Sequence, residues 1–244
     1  MLPSRVVVVA DAHLGQVPVA TQVAFHRFLE AVPDLGDALF INGDLFDFWY
    51  EYKTVIQRRH FATIARLHAL AAKGIPITFV GGNHDRWGGE FLRRDVGVDF
   101  HAWTLETELA GRRLWAAHGD GLTEQHWLAA ATHKLLQHPI TARVFGAIHP
   151  TVGSWIADKL SGGLADHTRD AQVVDRAVRA QAVYAEQLLG QRPDLAMVLL
   201  AHTHRPAVAT RSDGRVYLNP GAFLDGGKYA VVTREKVELK QFGD

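Results

Sequence analysis

Aspartate, asparagine and histidine gather at five places in this chain: Asp11 with His13, Asp44 with Asp47, Asn83 with His84, His118, and His202 with His204. Each group follows a short apolar run. The chain carries 14 histidines in 244 residues, a high usage of the commonest metal ligand near neutral pH. Carboxylate, amide oxygen and imidazole together suit divalent cations of intermediate hardness, such as manganese, iron or zinc. Two such cations about 3.5 to 4 Å apart polarise a phosphoryl oxygen, acidify a shared water and stabilise an in-line displacement. Residues two apart on an extended segment face the same side, so Asp11 and His13, or His202 and His204, would address one crevice. Asp44 leaves the Gly43 turn with two carboxylate oxygens, enough to bridge two cations. His84 is suited to give a proton to a departing oxygen, since imidazole is the side chain most often used for proton transfer. Singly, each group has a bland reading as a turn or a satisfied polar pair. Their recurrence at successive strand ends points to a shared metal site, because strand ends and the loops after them form the ligand crevice of open α/β sheets.

The elements that must position these residues follow from apolar patterning. Val6 to Ala10, Ala38 to Ile41, Ile77 to Val80 and Leu195 to Leu200 read as short buried strands. Leu105 to Ala117 reads as a hairpin turning at Ala110 and Gly111, and the tail holds two more, one turning at Asp213 and Gly214 and one spanning Tyr229 to Phe242. Helical spacing predicts helices over Ala20 to Val32, with Val23, Phe28 and Leu29 on one side, over Thr54 to Lys73, and over Gln172 to Leu189. Between 122 and 171 strand signals vanish and helical segments take over. The expected fold is therefore α/β, an α+β sandwich with mixed sheets flanked by helices. Its core would be residues 1–121 and 172–244, with 122–171 inserted as a helical cap.

Bulk properties narrow the function. The 26 basic and 26 acidic residues cancel, which disfavours a nucleic-acid binder. There is no cysteine, so disulfides and thiolate metal sites are excluded. The opening apolar run is too short for a signal peptide, and no stretch approaches the roughly 20 apolar residues of a membrane span. A cytoplasmic protein is expected, peripheral at the inner membrane face if the cap presents an apolar surface. Oligomeric state is not written in the sequence.

The ordered blocks Asp11-x-His13, Gly43-Asp44-x-x-Asp47, Gly82-Asn83-His84-Asp85, His118-Gly119-Asp120 and Ala201-His202-Thr203-His204 resemble the five blocks of calcineurin-like metallophosphoesterases. The resemblance implies two divalent ions, most naturally Mn²⁺, with Fe or Zn as alternatives. One would be held by Asp11, His13, Asp44 and His204, the other by Asp44, Asn83, His118 and His202. His84 would be the proton donor or phosphate-stabilising cation, with Asp85 orienting it. The last block begins with Ala201 where glycine is usual. The runs GDLFDFWYEYKTV, GGNHDRW, HGDGL and FGAIHPTVGSWIADKLSG are similar to the branch that hydrolyses UDP-2,3-diacylglucosamine in lipid A synthesis, although many of its members have arginine where this chain has His84. A lipid-linked sugar nucleotide would need an apolar slot, for which the cap offers Trp127, Leu128, Leu135, Leu136, Phe145, Trp155 and Ile156. Trp49, Tyr50, Glu51, Tyr52 and Lys53 are expected on the crevice rim or, for the aromatics, in the core. Lys134, Arg143, Lys159 and Arg169 are available for phosphate or uracil. The alternatives are a general phosphodiesterase or phosphomonoesterase acting on nucleotides or phosphoproteins, and a scaffold of this fold without catalysis.

Overall fold

Four consecutive valines set the layering. In β1 (Arg5–Val9), Val7 and Val9 join one hydrophobic cluster while Val6 and Val8 join another, so the strand is buried on both faces. The computed structural model describes residues 3–122, 139–153, 155 and 171–243. β1 lies in a six-stranded sheet beside β2 (Ala38–Asn42), β3 (Ile77–Val80) and β4 (Asp99–His101), all parallel to one another. β10 (Lys228–Thr233) and β11 (Val237–Gln241) extend the sheet antiparallel on the other side of β1. A second sheet has the order β5 (Thr104–Leu109), β6 (Arg112–Ala117), β7 (Met197–Leu199), β9 (Val216–Asn219) and β8 (Ala207–Thr210). Its three central strands are parallel, and β5 and β8 are antiparallel edges.

Helices α1 (Val19–Leu35) and α2 (Phe61–Ala72) cover the outer face of the first sheet. The helix over Pro139–Gly146 is α3, and α4 (Ala171–Gln191) covers the outer face of the second sheet. The two sheets meet face to face through Val6, Val8, Phe40 and Val80 on one side and Leu114, Ala116, Met197 and Leu199 on the other. Each such side chain removed from water contributes roughly 1.5–3 kcal/mol. The result is the expected mixed α/β sandwich: helices, sheet, sheet, helix.

Several expectations need correction. α2 starts at Phe61 rather than Thr54, because Arg58–His60 form a 3₁₀ turn in which Arg59 and His60 pair with the buried Asp47 carboxylate at 3.1 and 3.4 Å. Val23 is 43% exposed, and the buried stripe of α1 runs through Phe25, Phe28, Leu29 and Val32 instead. β4, only three residues long, carried no readable pattern. Of the cap expected over 122–171, Trp127, Leu128, Lys134, Leu135, Leu136, Ile156, Lys159 and Arg169 lie outside the described residues, as does the side chain of Arg143. No strand falls between 122 and 171 among the described residues, and no described helix is long and apolar enough to cross a membrane.

Gly43 is a tight point between the sheets. Its φ is +90°, and a Cβ there would lie 2.2 Å from His118 Nδ1 and 3.0 Å from the Gly82 backbone. Gly43→Ala is expected to cost at least about 2 kcal/mol through left-handed strain and a displaced imidazole. That lowers the thermal midpoint by roughly 4–8 °C in a chain of this size. An unaltered melting curve by circular dichroism would contradict this packing.

Candidate metal centre

Strands from both sheets end at one place. Asp11 and His13 follow β1, Asp44 follows β2, Asn83 and His84 follow β3, His118 directly follows β6, and His202 and His204 follow β7. Residues past β1 and β2 stay paired, with Asp11 N donating to Gly43 O at 3.1 Å and His13 N to Asp44 O at 2.9 Å. The backbone here is not the extended one that sequence spacing suggested. Asp11, His13, Asp44, His202 and His204 all have positive φ, between 46° and 69°, and among the described non-glycine residues only Ala110 shares that feature. Each such residue costs of order 1 kcal/mol or more, and clusters of them occur where function demands the geometry. Asp and His therefore turn into the crevice through tight left-handed kinks. Ala201 is not among the positive-φ residues, so alanine in place of the usual glycine sits there unstrained.

The side chains form three overlapping groups whose donor atoms lie within 4.8 Å of one another: Asp11, His13 and His204; His13, Asp44 and His84; and Asp44, His118 and His202. Asp44 Oδ2 lies 3.1 Å from His118 Nε2, 3.7 Å from His13 Nε2 and 4.0 Å from His84 Nε2. Asp11 Oδ1 lies 3.5 Å from His204 Nε2 and 3.7 Å from His118 Nε2, longer than a well-formed hydrogen bond. Asp11 Oδ1 and His13 Nε2 are buried without a hydrogen-bond partner. Buried polar atoms left in that state in the middle of a donor cluster point to a ligand. Asn83 is exposed on the same loop as His84.

Electrostatics agree with that donor set. Burial works to raise the pKa of Asp44, but the imidazoles of His118 and His84 hold it well below the usual carboxylate range. Asp11 is likewise lowered: burial opposes ionisation and His204 and His118 override it. Burial alone would depress His118, yet the Asp44 carboxylate pulls it up to about 10. Burial brings His13 down to about 4, and burial with the nearby His118 does the same to His202. Two buried carboxylates thus create a potential that holds positive charge at their centre, and neutral His13 and His202 keep lone pairs for it. Carboxylates and neutral imidazoles fit a divalent cation of the Mn, Fe or Zn kind.

The outer partners refine the sequence reading. His118 Nδ1 donates to Asn42 O at 2.9 Å, which turns Nε2 into the site. His84 Nδ1 donates to Asp47 O at 2.5 Å, again leaving Nε2 facing Asp44. Asp85 was expected to orient His84, and it does not. Its carboxylate accepts from Gly82 N at 2.8 Å and from Asp44 N and Phe46 N at 3.2 Å, tying the β2 and β3 loops together. Burial and the charge of Asp44 raise its pKa to about 6. Asn42, which sequence reasoning passed over, also ties the sheets by donating to Ala117 O at 2.9 Å. Its only signal was an amide ending an otherwise apolar strand. Arg86 joins the β3 and β6 loops by pairing with Asp120 while its guanidinium lies 4.3 Å from the centre of the Trp103 ring.

Beside the centre, Trp49 is core and stacks on Phe46. Tyr50 and Tyr52 instead meet the 122–171 segment. Phe145 packs on Phe48, Tyr50 and Trp87, with ring centres 5.1–5.3 Å apart. Gly146 and Gly153 lie so close to the Tyr50 and Tyr52 hydroxyls that a Cβ would fall 2.2 and 2.5 Å from them.

The calcineurin-like phosphoesterase family matches residues 4–206. A UDP-2,3-diacylglucosamine hydrolase of Salmonella arizonae is 30% identical over 241 residues, spanning 96% of this chain and 97% of its own length. One from Porphyromonas gingivalis is 24% identical over 261 residues, spanning 99% and 98%. Among solved structures, an archaeal phosphodiesterase has a similar fold, with a TM-score of 0.51 at 12% identity across 97% of this chain and 99% of that one. A match across most of the length, over loops that bring these acids and histidines to one point, places the chain in the calcineurin-like phosphoesterase family of metal-dependent hydrolases.

Proposed function

We propose that the chain hydrolyses the pyrophosphate bond of UDP-2,3-diacylglucosamine, releasing UMP and 2,3-diacylglucosamine 1-phosphate, at a centre of two divalent ions. The observation that carries this reading is the pair of donor groups, Asp11, His13, His204 and Asp44, His118, His202, set side by side with Asp44 facing both. One ion would be held by Asp11, His13, Asp44 and His204, the other by Asp44, Asn83, His118 and His202. Mn²⁺ fits this donor set best, with Fe or Zn as alternatives. When bound, the ions supply Lewis acidity and a water of lowered pKa.

The chain's own residues supply the rest. His84, with Nδ1 fixed on the Asp47 carbonyl, presents Nε2 to protonate the phosphate oxygen that leaves as the P–O bond breaks. Asp85 acts by holding the Asp44 and Asn83 loops in register, a positioning task. Support for the substrate comes from the relatives that share the name UDP-2,3-diacylglucosamine hydrolase along nearly the whole chain, and from the aromatic seat that receives Phe145 of the expected cap. Described residues of that cap also present Val144, Val152 and Trp155, which are 59%, 47% and 60% exposed. Such a face suits contact with the inner leaflet where a diacylated substrate resides.

Asp44→Ala and His118→Ala are each expected to abolish Mn²⁺-stimulated phosphoester hydrolysis, as EDTA should. Activity that survives all three treatments would rule out the two-metal reading and favour a scaffold. With UDP-2,3-diacylglucosamine, mass spectrometry is expected to find UMP and the acylated sugar phosphate. Turnover of simple phosphodiesters alone would point instead to a general phosphodiesterase. Because the chain carries no net charge, co-sedimentation with lipid vesicles should change little between low and high salt and should fall in Trp155→Ser. Binding that salt abolishes would mean charge, not apolar contact, holds it.

A further inference from the structure

One fully buried glutamine lies outside every family block. Gln181, on α4, has no exposed surface although Arg179, Ala182 and Val183 beside it are exposed. Its Nε2 donates to Ala201 O at 3.0 Å. Its Oε1 accepts from Asn219 Nδ2 at 3.4 Å and from the Tyr217 hydroxyl at 3.5 Å. The same amide nitrogen presses on the neighbouring loop, since a Cβ at Gly119 would come within 2.4 Å of it. Gly119 follows His118 and Ala201 precedes His202, and Ala201 N in turn donates to His118 O at 2.7 Å. The side chain is therefore wedged between the backbones of two neighbouring loops whose imidazole centres stand 5.2 Å apart.

We infer that Gln181 is a positioning residue that sets the His118 and His202 half of the metal centre from the outer helix layer; this rests on the metal reading proposed above. The geometry makes the effect selective. The other half depends on β1 and β2 loop pairing, Asp11 N to Gly43 O and His13 N to Asp44 O, and neither bond touches Gln181. His204 keeps a hold that does not involve Gln181, because its Nδ1 lies 3.7 Å from Asp225 Oδ2. The fold should tolerate loss of the amide, since Ala201 O also accepts from Thr203 N at 2.8 Å and from Asn219 Nδ2 at 3.3 Å. What disappears is one restraint on the loop that aims His202.

The test is calorimetric titration of Mn²⁺ into metal-stripped full-length protein, wild type against Gln181→Met, which keeps the side-chain length and removes the amide. Wild type is expected to show two binding events. In Gln181→Met, the event that His118→Ala deletes should weaken about tenfold or more, the usual scale for loss of an outer partner, while the event that His204→Ala deletes should stay within about twofold. Tyr217→Phe, which removes the long contact to Oε1 and leaves the amide on Ala201 O, should leave both unmoved. Equal weakening of the two events in Gln181→Met, or none, overturns the inference while leaving the metal centre standing. A wild-type chain that takes up no Mn²⁺ overturns the metal reading, and this inference with it. If Gln181→Met does not fold by circular dichroism, Gln181→Glu, which keeps the side-chain shape and the oxygen facing Asn219 and Tyr217 but removes the donor to Ala201 O, is expected to give the same selective loss. Equal or absent weakening there would count against the inference in the same way.

Discussion

Two carboxylates, Asp11 and Asp44, are buried side by side at the ends of neighbouring parallel strands, and the rest of the centre is organised around that fact. Desolvating even one ionised carboxylate costs several kcal/mol unless charge and hydrogen bonds compensate it. Here compensation comes from both sheets. His84 N donates to Asp44 Oδ1 at 3.0 Å, and His202 N donates to Asp11 Oδ2 at 3.2 Å. Histidines surround the remaining oxygens. The arrangement is a poor way to stabilise a fold and a good way to bind cations, because removal of the cation leaves negative charge in a place with little water.

That cost explains the backbone. A strand that simply continued would carry Asp11 and His13 away along the sheet, and both would reach solvent. The left-handed kinks at Asp11, His13 and Asp44 keep the loops of β1 and β2 paired for several residues beyond the strands, so the carboxylates stay within the sandwich. The same device recurs at His202 and His204 on the second sheet. Glycine would adopt these angles without strain, but glycine has no donor atom. Strain is tolerated because the surrounding hydrogen bonds over-determine the loops, with Asp85 bonded to three backbone amides as the clearest case.

Residue type and order made the donors legible in the sequence, since a run of valine ending in Asp-Ala-His has few structural reasons to exist. The β-hairpin at Ala110 and Gly111 was equally readable, because turn chemistry is local. What sequence could not show is anything that depends on a distant neighbour. Asp85 beside His84 suggested a catalytic pair, yet the Asp47 carbonyl had already been brought to His84 by the β2 loop. The start of α2 was misplaced for the same reason: Arg59 and His60 answer to Asp47, not to helical periodicity. Gln181 gave no signal at all, since a glutamine on an outer helix looks like a solvated residue until the facing loops are known.

Neither sheet contains the centre. The first supplies Asp11, His13, Asp44 and His84, and the second supplies His118, His202 and His204, so the distance between the two sets is fixed by the apolar layer of Val6, Val8, Phe40, Val80, Leu114, Ala116, Met197 and Leu199 between the sheets. A close-packed interior is stiff, and a change of one methylene is felt by its neighbours. Spacing between the donor sets is then a property of that interior as much as of the donors. Polar ties at the rim, Asn42 Nδ2 to Ala117 O and His118 Nδ1 to Asn42 O, lock the two sheets in register where the donors emerge. Packing sets the distance, hydrogen bonds set the register, and the charged groups occupy a geometry that neither of them alone could hold.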